Sequence, residues 1–144
     1  MRMAVRRVSP EEAKALMEQE GYVYVDVRSV PEFEAGHPEG AYNVPLLHLG
    51  RGGMSPNPDF LSVMDRSFPK DAKIVVGCQS GGRSLQAASV LLSAGYTSVV
   101  DQRAGFQGTM SPGAAPEAGW GPKGLPVSKQ AAPGHAYEAL RGKQ

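Results

Sequence analysis

An α/β domain, with a parallel sheet carrying helices on its faces, is the fold class this sequence predicts. Three observations lead there. Two short runs, Tyr22 to Val27 and Ile74 to Gly77, are apolar, β-branched or aromatic at nearly every position, the pattern of strands buried on both faces. Segments with helix caps and helical spacing alternate with them along the chain. The chain has 144 residues, 41% hydrophobic and 20% charged, which suits one soluble globular domain.

The elements follow in order. Ser9-Pro10-Glu11-Glu12 combines a capping hydroxyl, a proline at the first helical position and a glutamate placed to reach back to the cap. It predicts a helix from Pro10 to Glu20, with Ala13, Leu16 and Met17 on one face and Gly21 as the stop. The Tyr22–Val27 strand comes next, then one or two helical turns in Pro31 to Ala35, and a short extended piece from Ala41 to Pro45. Glycines and prolines between Leu49 and Pro58 predict a loop by composition. Asn57-Pro58-Asp59 caps a helix reaching Ser67. A strand at Ile74–Gly77, an Ala- and Leu-rich helix from Ser84 to Ala94 and a strand from Thr97 to Val100 complete the alternation.

From Thr109 onward the chain holds six glycines and five prolines in 36 residues, so irregular backbone is expected. Trp120 and Leu125 are placed to pin part of it to the body, and Tyr137 to Arg141 to form a last short helix.

Fifteen Lys and Arg against fourteen Asp and Glu leave a formal charge of +1. That removes the electrostatic reason to expect nucleic acid or an anionic membrane as partner. The basic stretch Met1 to Arg7 leads into Val8-Ser9-Pro10 rather than an apolar run, so no signal peptide is expected, and no stretch has the length of a membrane span. The expected location is cytoplasmic.

A single cysteine, Cys78, excludes an internal disulfide, a multi-cysteine zinc site and a Cys-x-x-Cys redox pair. It leaves two roles, a small buried hydrophobe or a reactive thiol, and the neighbours decide between them. Cys78 stands at the carboxyl end of a predicted strand just before a helix, where α/β sheets place their chemistry. The run Cys78-Gln79-Ser80-Gly81-Gly82-Arg83-Ser84 has adjacent glycines that let successive N–H groups point inward, and the following helix adds the positive end of its dipole. Such a loop stabilises a thiolate, a nucleophile that needs no general base. Nothing in a packing role asks for Ser-Gly-Gly-Arg-Ser directly after a cysteine, and Arg83 adds a fixed charge with several donors.

With these residues in view the sequence resembles the rhodanese family of sulfurtransferases. Asp26-Val27-Arg28 with Pro31-Glu32-Phe33 is similar to the family's first signature, Gly36 to Pro45 to its second, and Cys78 to Ser84 to its active-site loop. Gly105-Phe106 and Gly124-Leu125-Pro126-Val127 resemble its closing segments. The resemblance implies a rhodanese-like domain over residues 8–128 followed by a partly irregular tail, 129–144. It also implies a mainly parallel five-stranded sheet with helices on both faces. It implies thiosulfate sulfurtransferase activity: Cys78 takes the outer sulfur of thiosulfate or a similar persulfide donor and passes it to an acceptor such as cyanide or a thiol. Cys78 and Arg83 are then the catalytic residues, with Gln79, Ser80, Gly81, Gly82 and Ser84 as the substrate cradle. Arg83 orients the sulfonate end of thiosulfate or, alternatively, serves loop shape. The expected partners are a small-molecule sulfur donor and acceptor, with a protein thiol as an alternative acceptor.

Gly82-Arg83-Ser84 is closer to the thiosulfate or persulfide type of loop than to the mercaptopyruvate type. Trp120 follows the Gly-Phe segment only after Gln107 to Gly119, an insertion expected to narrow the mouth of the site. Asp26 and Arg28 are read as buried partners that brace the loops rather than as catalysts. His37, His48 and His135 show no ligand spacing, so neither a metal nor a cofactor is expected. Two other readings remain. A protein-to-protein sulfur relay would use the same Cys78. A cysteine phosphatase is disfavoured, because its loop places five residues between cysteine and arginine and this one places four.

Overall fold

The structure, a computed structural model, describes residues 5–109 and 116–142. Its centre is a five-stranded sheet built from β1 (Arg6–Val8), β2 (Val23–Asp26), β4 (Tyr42–Asn43), β7 (Lys73–Gly77) and β8 (Ser98–Gln102). The strands lie in the order β1-β8-β7-β2-β4, and every pairing is parallel. Strand β7, which leads to Cys78, is therefore central.

Both faces are covered. Ile74 and Val76 of β7 and Val25 of β2 point to one side, where they meet Val63 and Met64 of α3 (Phe60–Ser67) and Ala87, Ala88 and Leu91 of α4 (Gly82–Ser93). Tyr137 and Leu140 of α5 (Tyr137–Arg141) join the same core. Tyr24, Val75 and Val100 point to the other side, against Ala13 and Leu16 of α1 (Pro10–Glu20), Phe33 of α2 (Val30–Ala35) and Trp120. Side chains alternate across a strand, so a run that is apolar at every position supplies both cores at once.

Helix α1 has the predicted bounds and caps: Ser9 Oγ accepts from Glu12 N, Glu12 accepts from Ser9 N, and Gly21 ends the helix at φ +75°. Trp120 is buried, its Nε1 donating to Pro126 O at 2.7 Å and its ring edge-on to Tyr24. Helix α5 also lies where expected.

Three elements differ from expectation. The segment read as a loop between Leu49 and Pro58 is an exposed hairpin of β5 (Leu47–Gly50) and β6 (Gly53–Pro56), joined through Arg51 and Gly52. Glycines beside a two-residue turn are a hairpin signal as well as a loop signal. Strand β1 was not anticipated, because it is three residues long and mostly basic, with only Val8 buried. Helix α4 begins at Gly82 rather than Ser84, which places Arg83 and Ser84 in its first turn.

Two short antiparallel pairs complete the described structure. Strand β3 (His37–Pro38) pairs with β11 (Val127–Ser128), and β9 (Gly108–Thr109) with β10 (Glu117–Ala118). The second pair joins the two ends of the expected 107–119 insertion, whose middle, 110–115, lies outside the described residues.

Candidate active site

Strand β7 delivers Cys78 to the carboxyl edge of the sheet. The register sets Gly77 beside Asp26 of β2, and Val76 beside Asp101 of β8. The chain then turns through Gln79, Ser80 and Gly81 into α4. Gly81 makes the turn at φ +98°, a left-handed conformation that glycine adopts without cost, and a Cβ there would run into the Arg103 carbonyl.

Within this turn the Gly81 N–H donates to Cys78 Sγ at 3.1 Å, and Sγ lies 3.4 Å from Ser84 Oγ. Ser84 and Cys78 are both buried. One backbone amide, one hydroxyl and the open end of α4 thus face the sulfur, an arrangement that favours negative charge there. Ser80, Gly81 and Gly82 line a cavity of about 280 Å³ beside the loop, together with Arg7, Arg103 and Glu117.

The turn is held from outside by segments far away in sequence. Phe106 N donates to Cys78 O at 2.7 Å and Gln107 N to Gln79 O at 3.0 Å. Gln102, fully buried, shapes that supporting segment: its Oε1 accepts from the N–H groups of Ala104 and Gly105, and its Nε2 donates to Gly105 O. Arg7 reaches in from β1, donating through Nη2 to Gly81 O at 3.2 Å and through Nε to Asp101 Oδ2 at 2.7 Å. Burial pushes the Asp101 carboxyl up from its ordinary value, while Ser84 and Arg7 oppose the rise.

Arg83 does not stand as a free cation. Its Nη1 and Nη2 donate to Glu32 Oε1 and Oε2 at 2.7 and 2.9 Å, a two-point pair that bridges α4 to the first turn of α2. Glu32 also accepts from Ser29 N and Ser29 Oγ. Burial raises the Glu32 carboxyl, but the hydrogen bonds from Arg83 and Ser29 and the Arg83 charge outweigh it and hold the group at about 2. The Ser29-x-x-Glu32 spacing is a capping signature visible in the sequence. Nothing local shows that Arg83 would share it.

Asp26 and Arg28 form the expected brace. Arg28 donates from Nε to both Asp26 oxygens and from Nη2 to Asp26 Oδ2 and Gly36 O. Its Nη1 reaches Gln79 Oε1 at 3.0 Å, so the Gln79 side chain is engaged with Arg28. The guanidinium also lies over the Phe106 ring, 4.5 Å from its centroid. His37 is buried, stacked on Phe33, with Nδ1 against Phe33 O at 2.8 Å. Among the described residues no group of three or more His, Cys, Asp or Glu is placed to hold a metal ion, and no helix is long and apolar enough to cross a membrane.

Of the residues singled out by sequence, Cys78, Gly81 and Ser84 meet at the sulfur. Ser80 and Gly82 line the adjoining cavity, and Gln79 and Arg83 turn to protein partners. Sequence reasoning missed Arg7, Glu32, Asp101 and Gln102 as parts of this site.

Residues 9–111 match the family described as Rhodanese-like domain. The chain is 44% identical over 107 residues to "Thiosulfate sulfurtransferase 16, chloroplastic" of Arabidopsis thaliana, which covers 74% of this chain and 80% of that protein. It is 46% identical over 88 residues to "Senescence-associated protein DIN1" of Raphanus sativus, 61% of this chain and about half (48%) of that protein's length. Among solved structures, that of Rv0390 from M. tuberculosis aligns with a TM-score of 0.73 at 26% identity, covering 89% of this chain and 100% of the other.

Proposed function

Because the chain belongs to the rhodanese-like domain family, we propose that it is a sulfurtransferase in which Cys78 carries a sulfane sulfur between a donor, thiosulfate or a similar persulfide, and a thiophilic acceptor such as cyanide or a thiol. The observation that carries this reading is the Gly81 N–H donating to Cys78 Sγ at 3.1 Å, at the open end of α4. A donor aimed at the sulfur by the backbone has no proton to lose and needs no movement to meet a charge.

In the first half-reaction the Cys78 thiolate attacks the outer sulfur of the donor. A new S–S bond forms, the donor's own S–S bond breaks, and its electron pair leaves with sulfite or a thiolate. Cys78 then holds a persulfide whose charge sits on the terminal sulfur. The amides of the 79–84 turn and the Ser84 hydroxyl are the groups available to stabilise it. In the second half-reaction the acceptor attacks the terminal sulfur and the Cys78 thiolate departs. Arg28 and Arg83 hold the turn in shape through Gln79 and Glu32.

The test is direct. Thiosulfate treatment of the purified protein adds the mass of one sulfur atom to the peptide containing Cys78, and cyanide removes it with release of thiocyanate. Cys78→Ser abolishes both. Sulfur transfer that survives the substitution would refute the reading.

A further inference from the structure

The charges around the turn bear on the donor. Four guanidinium groups reach it, and each is already matched by a carboxylate. Arg83 is engaged at two points by Glu32. Arg28 is engaged by Asp26, both of them buried. Arg7, which holds Gly81 O, has its Nε on Asp101. Arg103, on the wall of the adjoining cavity, is engaged at two points by Glu117, which lines the same wall. The guanidiniums and carboxylates cancel, so the thiolate itself is the uncompensated charge.

Thiosulfate is a dianion, and the sulfite it leaves behind is a dianion too. Binding it productively calls for a cation free to meet it, since a negative charge brought beside a thiolate in a partly buried site is repelled. A thiol persulfide makes no such demand. It carries at most one negative charge, on the sulfur being transferred, and its leaving portion is an ordinary thiol. Resting on the sulfur-transfer reading above, we infer that this site is built for thiol persulfides, R–S–SH, rather than for small sulfur oxyanions, with Glu32 as the residue that withholds Arg83 from them. The step balances as Cys78–S⁻ plus R–S–SH giving Cys78–S–S⁻ plus R–SH. Cys78 Sγ bonds to the outer sulfur, the donor's S–S bond breaks, and the outer sulfur's proton goes to the leaving thiolate.

The experiment measures single-turnover loading of Cys78 by mass spectrometry, with thiosulfate and with N-acetylcysteamine persulfide, over a range of ionic strength. Salt screens repulsion, so loading by thiosulfate speeds up steeply with added salt and loading by the persulfide much less. Glu32→Gln keeps an oxygen for the Ser29 hydrogen bonds while releasing the Arg83 charge. It raises the thiosulfate-to-persulfide ratio of loading rates, by roughly tenfold for one unit charge near the reacting sulfur. Thiosulfate loading that slows with salt would overturn the inference, because it would reveal a net attraction for the dianion. So would an unchanged donor ratio in folded Glu32→Gln. The salt series uses the unaltered protein and decides the matter even if the variant fails to fold. Failure of both donors to load Cys78 is a separate result, and it would overturn the sulfur-carrier reading itself.

Discussion

Arg28 and Gln79 lie 51 positions apart in sequence, yet Arg28 Nη1 donates to Gln79 Oε1 at 3.0 Å and so ties the residue after the cysteine to the end of the neighbouring strand. The rest of the guanidinium is spent on Asp26 and Gly36 O. The orientation of the turn therefore depends on a buried ion pair that never touches the sulfur.

Arg28→Ala leaves the Asp26 carboxylate buried without its cation, a change that costs about 3–5 kcal/mol. Arg28→Lys keeps the charge but loses the planar fork, so it cannot serve Asp26, Gly36 O and Gln79 together. Urea unfolding is expected to rank stability as wild type, then Lys, then Ala. A Lys variant as stable as wild type would show that the fork is dispensable.

Two glycines with nearly the same backbone separate strain from collision. Gly81 at φ +98° has the Arg103 carbonyl where a Cβ would go, while Gly95 at φ +103° has nothing within 4 Å. Gly95→Ala is expected to cost only the left-handed penalty, about 1–2 kcal/mol. Gly81→Ala costs more than that and also slows sulfur loading, because the amide on Cys78 Sγ must move. Equal unfolding midpoints for the two variants would contradict this.

The Trp120 indole fills the core on the α1 side of the sheet and donates to Pro126 O. Trp120→Ala should destabilise by about 3–5 kcal/mol, and Trp120→Phe by less, leaving chiefly the Pro126 carbonyl without its donor, a loss of about 1–3 kcal/mol. Thermal unfolding of both variants measures the two contributions.

Glu32 makes part of the stability depend on acid. Its carboxyl is held at about 2, below the ordinary value of 4.5. The stabilisation is therefore complete above pH 4.5 and fades as the pH falls from there toward 2. A shift of that size amounts to at most about 3 kcal/mol. Arg83→Ala removes the main stabilising partner, so the stability gap between wild type and variant should be widest near neutrality and should narrow as the pH drops through this window. A gap that stays constant down to acid pH would assign the loss to packing of the Arg83 stem instead.

The parts of this fold that announce themselves in the sequence are those whose signals are local. The Ser9–Glu12 cap and Gly21 bound α1 because every partner lies within one turn. The two-sided burial of β2 and β7 is written in consecutive apolar residues. The cysteine turn was legible for the same reason, its glycines and arginine being adjacent. Strand β1 was not, since three residues, two of them basic and exposed, become a strand only through pairing with β8. Glu32 could be read as a cap but not as the partner of Arg83, and Asp101 and Gln102 looked like the end of a strand rather than support for a distant turn. In each of these cases the deciding contact crosses the fold, where no periodicity records it.

Strand β1 carries a consequence for how the protein comes to be folded. Arg7 and Asp101 are 94 positions apart, and their pairing joins nearly the first described residues to the last strand of the sheet. Contacts that span so much of the chain require a long loop to close before they return any energy, and they slow folding. On a ribosome, β1 waits as an unpaired edge until β8 has been synthesised. Arg7 can secure the Gly81 carbonyl only then, so the chain acquires a finished cysteine turn late, after most of the core has already condensed.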